Sequence, residues 1–199
     1  MPIVIAQRDA LDYLKAQAQR LLELKNQIVF AIDGMAASGK TTLAGALQSV
    51  VPEAYIVHMD DFFLPPEKRN DAYLQRTLAF ADIERFHDEV LLPLARPEAF
   101  SYRPYAFHPV PGFLPPVTLP EHRKLVIVEG AYCLHPDLFD AYDLCIMLTI
   151  ASEAQQARIL RRNGEAMLAR FQSEWIPREN RHIAARGLRE RCDVVIEAT

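Results

Sequence analysis

Residues 28 to 42 read Ile-Val-Phe-Ala-Ile-Asp-Gly-Met-Ala-Ala-Ser-Gly-Lys-Thr-Thr. Ile28 to Ile32 is an apolar, β-branched run of the kind that forms a strand buried on both faces. It leads into Gly34-x-x-x-x-Gly39-Lys40-Thr41, a spacing in which glycines let the backbone wrap so that successive N–H groups point at phosphate oxygens. Thr42 to Leu47 continues with apolar residues at helical spacing, and a helix beginning near Lys40 adds the positive end of its dipole. Lys40 is expected to reach the β- and γ-phosphates of a nucleotide, and the Thr41 hydroxyl to ligate Mg2+. Gly34, Ala37, Ser38, Gly39, Lys40, Thr41 and Thr42 are the expected nucleotide contacts.

Working outward, residues 7 to 25 carry Leu11, Leu14, Ala18, Leu21, Leu22 and Leu24 among charged residues, an amphipathic helix expected to pack beside the first strand. Downstream of the loop, Ala54 to His58 reads as a second strand. It runs into Met59-Asp60-Asp61-Phe62-Phe63-Leu64-Pro65-Pro66, where the prolines end it. Ligands of open α/β sheets bind at the carboxyl ends of the strands. An acidic pair at such an end is placed to take a proton from an attacking hydroxyl. Lys124 to Gly130 is a third strand that ends on another carboxylate, Glu129. Tyr142 to Ile150 and Cys192 to Ile196 complete a five-stranded, mostly parallel sheet.

Between the second and third strands, residues 67 to 81 are polar and poorly periodic. Asp82 to Leu94 resumes helical spacing, with Asp82 as N-cap. From about 96 to 120, prolines and aromatic rings dominate, which excludes a helix and predicts an extended hairpin or flap. The residues alone leave open whether it walls a substrate pocket or merely covers an edge. Ala151 to Arg170 is a strong helix former in which Arg158, Arg161 and Arg162 share a face, with Asn163-Gly164 as a break. Taken alone such a cluster reads as a solvated basic face; in a phosphoryl-transfer enzyme it is the candidate to cover the γ-phosphate. In that second reading the region from about 158 to 180 acts as a lid.

With 199 residues, half apolar and a quarter charged, the chain suits one P-loop α/β domain spanning 1 to 199. Its net charge of −4 offers no electrostatic footprint for nucleic acid or an anionic membrane. Three widely spaced cysteines suggest buried thiols in a reducing compartment. No segment approaches the length of an apolar membrane span, so a cytoplasmic location is expected. Oligomeric state is open, a homo-oligomer included.

With these residues placed, the chain resembles the phosphoribulokinase/uridine kinase group of P-loop small-molecule kinases. The resemblance rests on the phosphate loop, His58-Met-Asp-Asp-Phe-Phe-Leu-Pro-Pro, Val126-Ile-Val-Glu-Gly, Arg158-Ile-Leu-Arg-Arg and Cys192-Asp-Val-Val-Ile, in family order. The Asp-Asp-Phe-Phe segment is also similar to that of nicotinamide riboside kinases. The resemblance implies ATP and Mg2+ as cofactors, with Asp60 as general base and Thr41, Asp60 and Glu129 around the metal. It implies catalytic roles for Lys40, Arg158, Arg161 and Arg162, and substrate contacts from Asp61, Phe63, Asp82 and Tyr105. The family's Tyr-Asp-Phe is Tyr105-Ala106-Phe107 here, and His108 is out of register with the family's downstream histidine. The expected acceptor is a nucleoside such as uridine, with nicotinamide riboside, pantothenate and a sugar phosphate as the alternatives. An acceptor-independent ATPase and a nucleotide sensor are the readings outside the kinase class.

Overall fold

In a computed structural model that describes residues 1–77, 80–106 and 110–198, the first strand, β1 (Ile3–Ala6), precedes helix α1 (Ala10–Leu22). There follow β2 (Ile28–Gly34), α2 (Lys40–Val50), β3 (Ala54–His58), β4 (Leu125–Glu129) and β5 (Leu144–Ile150). Helices α3 (Ser152–Asn163), α4 (Glu165–Arg170) and α5 (Ile176–Arg186) lead to β6 (Val194–Ala198). The strands lie in the order β1-β6-β5-β2-β4-β3, and every pairing is parallel. All five strands expected from the apolar runs are present. The sixth, β1, was hidden in the sequence because it is a four-residue edge strand, half-exposed, with no sustained alternation.

Alternation along β2 explains the two cores. Ile28, Phe30 and Ile32 face a layer made by α1 and α2, with Ala10, Leu14, Leu43 and Leu47. Val29 and Ala31 face the opposite layer, with Val57, Met59, Phe62, Phe86 and Leu188. Every residue of β2 is buried, as a central parallel strand requires. Register then sets the level of the site: Ile32 and His58 both pair with Glu129, and Gly34 pairs with Leu148. The ends of β2, β3, β4 and β5 thus meet on one rim.

The polar segment after β3 does contain a short helix, Asp71–Thr77. Asp82 caps the helix that follows, accepting from the Arg85 N–H at 3.2 Å. The flap is two short antiparallel ladders, Phe100–Tyr102 with Val117–Leu119 and Tyr105–Ala106 with Gly112–Phe113. Phe107 and His108 lie outside the described residues. Gly164, at φ 80°, breaks the arginine helix where Asn163-Gly164 predicts it. All three cysteines are free and buried. Among the described residues no helix is long and apolar enough to cross a membrane.

Candidate active site

The loop between β2 and α2 is shaped by positions where a side chain cannot fit. Gly34 has φ 143°, and a Cβ there would lie 2.1 Å from the Leu148 carbonyl oxygen on neighbouring β5. Ala37 and Gly39 take positive φ values of 58° and 103°, turning the loop back so that α2 starts at Lys40. The Lys40 ammonium folds over the loop, donating to the carbonyls of Gly34 at 2.8 Å and Met35 at 3.1 Å. Above the loop, Arg158 donates to the carbonyls of Ala37 at 3.0 Å and Ser38 at 3.4 Å.

Opposite the first turn of α2 stands Glu129. Its two oxygens lie 3.2 and 3.1 Å from the Thr41 hydroxyl, and one lies 2.6 Å from His58 Nδ1. The hydrogen bond to Glu129 is the largest influence raising the His58 pKa above its ordinary value. Asp60 sits in the turn after β3 and is open to the cleft. The protein crowds its carboxylate from the other sides, so burial raises its pKa, while the Lys40 charge opposes the rise. Asp33, fully buried beneath the loop, accepts from the N–H groups of Gly34 at 2.6 Å and Leu134 at 2.9 Å. Burial lifts its pKa to about 6.

One cleft of about 670 Å³ takes in Gly39, Lys40, Thr41, Thr42, Asp60, Glu129 and all three arginines, Arg158, Arg161 and Arg162. Ala37 lines it too, whereas Gly34 and Ser38 are buried under the loop. Arg162 is tied back to Asn163 at 2.7 Å. The oxygen-only donor pair of Thr41 and Glu129 suits Mg2+, which takes one or two protein oxygens together with substrate phosphates. No larger group of metal ligands occurs among the described residues.

The four residues expected to contact the acceptor lie outside this cleft's lining. Asp61 accepts from the Tyr102 hydroxyl at 2.9 Å, and burial raises its pKa against that bond. Phe63 stacks on Phe80 at 6.2 Å, with the Arg69 guanidinium 5.0 Å from its ring. Tyr105 is buried edge-on against Phe113 at 5.3 Å. Asp82 is fully buried: Lys68 binds one oxygen at 2.7 Å and the helix it caps takes the other. Both oxygens of Asp82 are thus engaged in holding the segment, and the carboxylate is not exposed to the cleft.

Among the cleft-lining residues that the sequence did not mark as site residues are Gln7 and Glu179. Gln7, just past β1, lines the cleft beside Gly39. Glu179, on α5, accepts from the Ala36 N–H at 2.8 Å. Neither belongs to a local pattern, since each is brought in by an element far away in the chain.

No family model matches the chain, and no curated protein is detectably similar in sequence. Among solved structures, it is similar to a possible uridine kinase from Bacillus stearothermophilus. That match has 20% identity and TM-score 0.69, over 95% of this chain and 98% of the other. A candidate fructose transport system kinase from Silicibacter matches at 24% identity and TM-score 0.64, over 92% and 98%. YFH7 from Saccharomyces cerevisiae, described as a candidate P-loop-containing kinase with a circular permutation, matches at 12% identity and TM-score 0.69, over 95% and 99%. Across nearly its whole length the chain therefore has the α/β fold of P-loop kinases.

Proposed function

We propose that the protein is an ATP-dependent kinase that phosphorylates a hydroxyl of a small metabolite, most plainly a nucleoside such as uridine. The observation that carries this reading is the meeting of Lys40, Thr41, Asp60 and Glu129 around one cleft. Asp60 accepts the proton as the acceptor O–H bond breaks and the new O–P bond forms; its raised pKa suits it to that task. ADP leaves with the electrons of the broken O–P bond. Lys40, Arg158, Arg161 and Arg162 balance the negative charge that moves between these oxygens. Thr41 and Glu129 are the residues that would hold Mg2+, which supplies positive charge to the phosphates when bound. Positioning and electrostatics provide most of the acceleration.

The name of the Bacillus protein supports a nucleoside acceptor, and that of the Silicibacter protein makes a sugar the second class to test. A nucleotide sensor would leave the Asp60 carboxylate without a task, whereas a bare ATPase would turn it on water, so the control without acceptor separates the ATPase from the kinase. ATP consumption with Mg2+ is measured across nucleosides, ribosides, pantothenate, sugars and sugar phosphates, against a control without acceptor. Stimulation by one class is expected. Hydrolysis that ignores every acceptor refutes the kinase reading.

A further inference from the structure

Helix α5 follows a π-helical turn, Phe171–Trp175, of the kind that often marks functional sites. Its first turn touches two places at once. Glu179 accepts from the Ala36 N–H at 2.8 Å, while Gln155 holds the carbonyl of the same residue at 3.0 Å. Next to it, the Arg178 guanidinium lies 4.3 Å from the centre of the Phe80 ring, which stacks on Phe63 beside the acidic pair.

The position of Ala36 in the loop gives the Glu179 contact its meaning. The Lys40 ammonium rests on the carbonyls of Gly34 and Met35, immediately before Ala36. In this loop type that ammonium reaches the β- and γ-phosphates. The Ala36 N–H is therefore at the reacting end of the cradle, where the outermost phosphate goes. Lys40, Asp33 and Asp60 are the charges that act on Glu179 most strongly, and burial lifts its pKa to about 7.

We propose that Glu179 is a resident stand-in for the third phosphate of the donor, and that it makes the site distinguish nucleoside triphosphate from diphosphate. The inference rests on the kinase reading above. One N–H cannot serve a carboxylate and a phosphate oxygen together, and two anions crowded there repel. A diphosphate, held nearer Gly39 to Thr41, leaves Glu179 in place. A triphosphate displaces it, and the first turn of α5 moves with it, which loosens Arg178 from Phe80. Arrival of the phosphoryl group is thus felt on the acceptor side of the cleft.

The test compares the full-length protein with Glu179→Gln and Glu179→Ala in titrations with Mg2+ and either ADP or the β,γ-imido analogue of ATP. Glu179→Gln keeps a side-chain acceptor for Ala36 and guards against loss of fold. The expected result is analogue binding tightened on the order of tenfold in Glu179→Ala and by less in Glu179→Gln, which loses the charge but keeps an oxygen on the Ala36 N–H, with ADP binding within about twofold of wild type in both. An unchanged ratio of the two affinities, or parallel weakening, would make Glu179 a plain helix anchor and overturn the inference alone if acceptor-dependent transfer persists. Failure of all three proteins to bind either nucleotide would overturn the kinase reading and the inference with it.

Discussion

The Thr41 hydroxyl donates to Glu129, 3.1 and 3.2 Å from its two carboxylate oxygens, and so joins the first turn of α2 to the end of β4. His58, at the end of β3, binds the same carboxylate at 2.6 Å. Three segments distant in sequence are locked together by one side chain. Glu129→Gln removes the charge but keeps the shape. The Mg2+ concentration needed for half-maximal activity should rise about 10- to 100-fold. The His58 pKa, raised first of all by its bond to Glu129, should fall toward the ordinary range. A magnesium titration and NMR titration of the imidazole check the two effects separately.

Asp60 and Asp61 are neighbours with different surroundings. Asp61 is bonded to Tyr102 and its backbone carbonyl to Arg85 at 2.8 Å, whereas Asp60 faces the cleft. Asp60→Asn should lower turnover by about 10²- to 10⁴-fold with nucleotide affinity nearly unchanged. Asp61→Asn should cost less. The reverse order, read from kcat and nucleotide Kd, would make Asp61 the base.

Gly34→Ala should prevent stable folding. The new Cβ would lie 2.1 Å from the backbone oxygen of Leu148, in a central pairing of the sheet that has no room to move. Positive φ and overpacking together cost at least about 3 kcal/mol. Gly164→Ala, which meets nothing within 4 Å, should cost only the backbone term. Denaturation midpoints of the soluble fractions compare them.

Glu179 also predicts a pH dependence of stability. Burial raises its folded pKa from 4.5 to about 7, so between those values the native state holds more proton than the unfolded chain. Stability from this group is present below about pH 4.5 and is lost as pH rises toward 7, by up to about 3 kcal/mol. Urea midpoints of wild type should therefore fall between pH 5 and 8 more steeply than those of Glu179→Gln. Identical slopes would refute the shift.

The fold and the loop that lines the candidate site were legible because both are written in short-range patterns. Buried parallel strands read as apolar runs, and Gly34 to Thr41 carries its geometry in its own backbone. Asp60 and Glu129 were legible because strand ends in such sheets share one rim. The acceptor side was less legible. Asp82 was marked as its cap position suggests, but only burial shows that Lys68 engages its second oxygen. Gln7 sat in a segment assigned to packing alone, and nothing local distinguishes it from any polar residue at a helix start.

The sequence by itself determined the parallel sheet, the glycine-bearing loop from Gly34 to Thr41 and the identity of the carboxylates at its rim, since backbone conformation and hydrophobic burial follow from neighbouring residues. Only the tertiary structure decided that β1 closes the sheet beside β6, that Asp61 is bound to Tyr102, and that Glu179 reaches the Ala36 N–H across 143 positions of chain. Those contacts depend on where separate elements dock, and no spacing within either partner encodes the distance between them.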